Sequence, residues 1–272
     1  MSGILCCNWC SLHWELQSCF SWVSAAKRGT ITRKHDSTSA RSASVMKPKL
    51  TRVQGKIVQC RLCPRLVEHR EKIAREKRRA FLDWTYWGKP VPSFGTGSAH
   101  LLILGLAPAA HGSNRTGRMF TGDRSGDFLF RALHRFGFCT QPSSRQQNDG
   151  LRLRDAYITA ALHCAPPGNK PARAELANCR IYLSQELQIL NKVRVVVVLG
   201  RMAWHAYLLA RMELEWPVPR PRPKFAHGIS HRLDDQTTVI TSYHPSQQNT
   251  QTGRLTEAMF DEVFARAREL LG

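Results

Sequence analysis

No stretch of about 18 consecutive apolar residues occurs anywhere in this chain, so nothing in it reads as a membrane-spanning helix. Acidic residues are scarce. Twenty Asp and Glu face forty Lys and Arg, leaving a formal net charge of +20 and a pI near 10.2. That imbalance excludes a polycation as partner and points to a polyanion, with nucleic acid the commonest. An anionic membrane surface would favour one basic amphipathic helix, whereas here the cations are spread along the sequence. No Walker lysine and no GxGxxG run are present, which argues against a nucleotide cofactor. No basic residue precedes Lys27, so the opening segment lacks the charged start of a secretory signal.

Cysteine, by contrast, is abundant. The nine cysteines are an odd number in a mid-sized chain, which speaks against a disulfide framework and for a reducing cytoplasm with a metal site. Four of them fall in residues 1–46, a segment rich in Cys, Trp and Ser without clean periodicity. It reads as disordered or as a translated upstream region, with Met46 the candidate true start, and residues 47–272 read as one globular domain.

Within that domain, residues 65–80 carry helical charge spacing. Four short apolar runs follow: Leu101–Leu106, Ala156–Leu162, Val193–Leu199 and Thr238–Ser242. Their near-continuous apolar character suits parallel strands covered on both faces. Helical patterns lie between and after them, at Asp127–Arg135, Arg173–Leu190, Arg201–Arg211 and Thr256–Leu271. The alternation predicts an α/β fold, a three-layer α/β/α sandwich around a central four-stranded parallel sheet. In such sheets ligands bind beyond the carboxyl ends of the strands, so the residues after each strand are the ones to read for chemistry.

After the first strand, residues 105–129 are dense in small residues. Gly105 and Gly112 allow a ligand close to the backbone. Phe120, in a polar loop, is a stacking candidate for a nucleobase, or else a core anchor. After the fourth strand, His244 precedes Pro245 and can donate a hydrogen bond to a developing anion, or is an ordinary loop histidine. Cys60 and Cys63 form a C-x2-C pair, and Cys164 and Cys179 a second pair with fourteen residues between them. Four thiolates suit zinc or a [4Fe–4S] cluster, and spacing alone does not choose between them. Cys139 has no partner at such spacing and reads as structural.

Three long motifs, GLAPAAHGSNRTGRMFTGD, YITAALHCAPPGNKP with its cysteines, and HPSQQNTQTGR, together resemble type 5 uracil-DNA glycosylases, over about residues 47–272. The resemblance implies that Cys60, Cys63, Cys164 and Cys179 hold a [4Fe–4S] cluster, that Phe120 stacks on a flipped base and that His244 contacts uracil. It also implies a base-excision enzyme, a hydrolase of N-glycosyl bonds acting on double- or single-stranded DNA with damaged bases. Such an enzyme is expected to be a cytoplasmic monomer without membrane contact. Most of that superfamily place Asp or Asn where this chain has Ala107, and type 4 relatives carry Asn where it has Ala160. These departures imply a broader range of deaminated bases and leave the general base open, with Asn114, His111 and Asp123 as candidates to position water. Asp123 reads equally as a helix N-cap. The rival reading is a non-catalytic, zinc-containing nucleic-acid-binding protein.

Overall fold

The computed structural model describes residues 37–234 and 236–272; for residues 37–47 it describes the backbone only. The expectation of a disordered or spurious segment falls, for residues 1–36, outside the described residues. Residues 37–46 open a helix. In chain order the elements are α1 (Ser37–Gln59), α2 (Pro64–Glu76), β1 (Phe94–Gly95), β2 (Leu101–Gly105), α3 (Ser113–Thr116) and α4 (Arg124–Arg135). They continue with β3 (Ala156–Ala160), α5 (Arg173–Ile189), β4 (Val195–Leu199), α6 (Arg201–Glu213), β5 (Ile229–Arg232), β6 (Thr238–Ser242), α7 (Gln247–Gln251) and α8 (Glu257–Leu271).

The four apolar runs become β2, β3, β4 and β6, and every one of their residues except Thr238 is buried. They pair in parallel as β3-β2-β4-β6, with Leu101 opposite both Ala156 and Val195, and Val195 opposite Thr238. Two antiparallel edge strands widen the expected four-stranded sheet to six, β1 beside β3 and β5 beside β6.

The period-two alternation of side chains divides the core into two layers. Leu101, Ile103, Ile158, Val195, Val197 and Ile240 face α4 and α8, meeting Phe130, Leu133, Phe260 and Phe264. Leu102, Leu104, Tyr157, Val196, Val198 and Val239 face the other way, meeting Leu50 of α1, Leu187 of α5 and Trp204 and Tyr207 of α6. Each such aliphatic or aromatic side chain contributes about 1.5–3 kcal/mol of burial, so both faces must be covered for the sheet to stand. A third, smaller cluster joins Val53 and Ile57 of α1, Leu66 of α2, Leu162 and Cys164 after β3, and Cys179 and Tyr182 of α5.

The charge-spaced segment at 65–80 is helical only to Glu76. Lys77 takes a left-handed φ of 57°, and a single 3-10 turn, Arg79–Phe81, follows. The carboxyl ends of the parallel strands bring Gly105, Ala160, Leu199 and Ser242 to one edge.

Candidate active site

At that edge Gly105 carries the ring of Phe120 directly on its backbone. A Cβ there would come within 2.8 Å of Phe120 Cζ, so this contact requires glycine. Phe120 holds a left-handed φ of 51°, an unfavourable conformation for an aromatic residue that its neighbours must sustain. Buried Thr121 does so. Its hydroxyl contacts Met119 O at 3.1 Å and Ser144 Oγ at 2.6 Å and accepts from Arg118 Nε at 2.9 Å. Arg118 in turn is paired with Asp149 at 2.7 Å in a nearly buried ion pair, which holds the Asp149 carboxyl down at about 2 despite its desolvation.

His244 follows β6 and faces Phe120, ring centroids 6.0 Å apart and planes tilted by 30°. Asn249 Nδ2 donates to the His244 carbonyl at 2.8 Å, fixing the turn into α7, and the Ser246 hydroxyl caps that helix on Asn249 N. His244 is half-buried at the surface, yet desolvation alone lowers its pKa to about 4. Its imidazole is therefore neutral at physiological pH, able to donate one hydrogen bond without carrying charge.

The loop between β2 and α4 closes on itself. Asp123 caps α4, Oδ1 accepting from Gly126 N at 2.9 Å, so the capping role suggested by the sequence is realised. Its Oδ2 lies against Gly112, where any Cβ would collide with it. Desolvation first, then Asp127, pushes this carboxyl above its ordinary value. Asn114 is wholly buried. Its Nδ2 donates to Arg70 O at 3.3 Å, while Oδ1 has no hydrogen-bond partner. Arg115 draws the loop's two limbs together, Nε on His111 O and Nη2 on Gly122 O, both at 2.8 Å. The Arg115 guanidinium also lies against the rings of Phe81 and Trp84, at 3.9 and 4.1 Å from their centroids. His111 Nδ1 meets Tyr86 Oη at 3.1 Å, and desolvation, then Arg78 and Arg115, lowers its pKa.

Cys60, Cys63, Cys164 and Cys179 line one small cavity of about 20 Å³ together with Leu66, Leu162 and Tyr182. Donors converge on the sulfurs. Arg70 Nη1 reaches Cys164 Sγ at 3.1 Å, His163 N reaches Cys179 Sγ at 3.3 Å, and Asn178 Nδ2 reaches Cys63 Sγ at 3.5 Å. Burial pushes the Cys164 and Cys179 thiols up. Among the described residues no three His, Cys, Asp or Glu side chains converge on a single-ion site. Cys139 stands apart, its sulfur donating to Gln141 O at 3.1 Å and its thiol pushed up to about 11 by burial.

The family model described as the uracil DNA glycosylase superfamily matches residues 92–268. The chain belongs to that superfamily. Among curated proteins it is 49% identical, over 221 residues, to a type-5 uracil-DNA glycosylase of Mycobacterium leprae, covering 81% of this chain and 95% of the relative. It is 50% identical over 216 residues to a protein of the same description from Thermus thermophilus, covering 79% and 95%. A type-4 uracil-DNA glycosylase of Archaeoglobus fulgidus is 30% identical over 158 residues, covering 57% and 70%.

In this superfamily member the structure brings Gly105, Phe120 and His244 together, and separately gathers the four cysteines. Asn114, His111 and Asp123 all sit on the loop that Arg115 fastens. Ala107, two residues beyond Gly105, packs against the small core that holds the cysteines. Arg70, Tyr86 and Arg115 had no signal in the sequence pattern. Arg70 is nearly fully buried, and it contacts Cys164 ninety-four residues away and Asn114 forty-four residues away.

Proposed function

We infer that this chain flips uracil and related deaminated bases out of DNA and hydrolyses the N-glycosidic bond, leaving an abasic site. The observation that carries the reading is the facing pair of Phe120 and a neutral His244 at the carboxyl ends of β2 and β6, where a parallel sheet binds its ligands. A base within a duplex is out of reach and must be extruded; Phe120 offers it a stacking surface, with Gly105 and Ala107 along the wall. When the bond between base N1 and sugar C1′ breaks, its electron pair leaves with the base. His244 donates a hydrogen bond to the anion so formed, and a water oxygen bonds to C1′ and releases its proton. The buried, unpartnered Oδ1 of Asn114 is an acceptor for that water, with Nδ2 anchored on Arg70 so that the amide keeps its orientation. Asp123 Oδ2, over Gly112, is the second acceptor nearby. With no carboxylate at Ala107, bond breaking runs ahead of water attack, and bases beyond uracil, its 5-substituted forms and hypoxanthine among them, are admitted. The type-5 description of the relatives sharing about half their residues supports the same choice.

Cys60, Cys63, Cys164 and Cys179 would hold a [4Fe–4S] cluster. The four sulfurs surround a cavity rather than a point, and each of three receives a hydrogen bond of the kind that stabilises a thiolate ligand. The spread of the sulfurs, which converge on no single-ion site among the described residues, favours the cluster over zinc. When bound, it supplies a cross-link between α1, α2, α5 and the segment after β3. The catalytic domain is residues 47–272, residues 1–46 are not required, and the protein works as a monomer in the cytoplasm, where its thiols stay reduced. Release of free uracil from a uracil-containing duplex tests the activity, and absorbance near 400 nm distinguishes the cluster from zinc.

A further inference from the structure

The segment Pro217–Lys224 alternates proline with other residues, and three cations, Arg220, Arg222 and Lys224, occupy every second position. All three are exposed. No acidic residue occurs between Glu215 and Asp234, and Asp234 is itself bound to Arg211 at 2.6 Å. Among the described residues, the contact that these three side chains make is a weak one, Arg222 Nη2 to Met212 Sδ at 3.4 Å. Four prolines fix their own φ and bias the residues before them to extended conformations. Prolines also carry no N–H, so the segment cannot extend the sheet. Both ends are pinned to the core. Buried Arg211 Nε donates to Pro217 O at 3.1 Å, and buried Trp204 Nε1 donates to Pro223 O at 3.2 Å. The chain then passes beside the strand end that carries His244. Phe225 lies 6.3 Å from the ring of Tyr243, and His227 stacks on Tyr243 at 5.1 Å. Tyr243 immediately precedes His244.

We propose that Pro217–Lys224 is a stiff phosphate rail, holding the sugar–phosphate strand of DNA beside the flipped base through Arg220, Arg222 and Lys224. A pinned, proline-stiffened segment loses little conformational entropy when it binds, and three unneutralised charges in a row match an extended polyanion. The inference rests on the reading of the neighbouring site as one that takes DNA.

The test is the salt dependence of binding to an undamaged duplex, which does not require catalysis. The full chain and the triple variant R220Q/R222Q/K224Q are titrated across a range of salt. Each lost phosphate contact lowers the slope of log K against log salt by about 0.9, so the triple variant loses about 2.7. Its Tm stays that of the parent, because the pinning contacts come from carbonyls. The variant R220K/R222K keeps the parental slope, since charge and not the guanidinium fork is what releases counterions. If the triple variant does not fold, R220Q and R222Q alone each lose about 0.9. An unchanged slope with an unchanged Tm overturns the rail. So does an equal loss in R220K/R222K. Charge-dependent binding to phosphatidylserine vesicles with no effect on the DNA slope also overturns it. A parent that binds duplex with the expected slope but releases no uracil sinks the glycosylase reading and leaves the rail standing.

Discussion

At His244 the chemistry turns on charge. A protonated imidazole would attract an anionic base but is expensive to keep where desolvation has already lowered its pKa to about 4. A neutral ring donates one hydrogen bond at no such cost. His244→Ala is expected to lower the single-turnover rate on uracil-DNA by about 10²–10³-fold, the usual loss for one anion-stabilising donor. Binding to undamaged duplex should barely move, since phosphate contacts dominate it. The pH dependence has a fixed sign. The folded pKa lies below the ordinary 6.5, so the unfolded chain takes up the proton first. The stability tied to this residue is complete above about pH 6.5 and is lost as the pH falls toward 4. The Tm of the parent should therefore drop more between neutral and mildly acid pH than that of His244→Ala, and parallel curves would contradict the burial argument. Phe120 and His244 are legible in the sequence because each stands out locally, an aromatic in a polar loop and a histidine before proline at a strand end. Arg70 and Arg115 are not. Their significance lies in contacts with the carbonyls and sulfur of residues distant in the chain or on the far limb of a loop, and no spacing rule reports those.

At the scale of elements, what the sequence displays is burial. Strands β2, β3, β4 and β6 are covered on both faces and read as unbroken apolar runs. β1 is two residues long, and three of the four residues of β5 are exposed, so neither leaves a hydrophobic pattern. Their pairing is set by the neighbouring strand rather than by their own side chains. From helix α1, Leu50, Val53 and Ile57 reach the core. Removal of residues 1–45 keeps those three and should leave the Tm and glycosylase activity intact; a loss of folding or of DNA affinity would mean that the segment contributes to the domain. The proposed cluster would tie the same helix to α2, α5 and the turn after β3. Cys63→Ser should give a colourless, poorly soluble protein, measured as iron per chain and absorbance near 400 nm, because three thiolates hold such a cluster less well than four. Full iron content in that variant would show the ligand set to be wrong.

For the whole molecule, a formal charge of +20 and a parallel sheet with a small-residue loop at its carboxyl edge belong to one design. The charge brings any DNA to the surface without regard to sequence. On the proposed reading, a base is selected by whether it can be turned out and stacked on Phe120. The most direct measurement is incubation of the full chain with a duplex carrying one uracil, followed by alkali and sizing of the strands. Scission is expected at the uracil position alone, and none in the matched thymine duplex. A chain that binds both duplexes and leaves both intact after alkali would contradict the glycosylase reading.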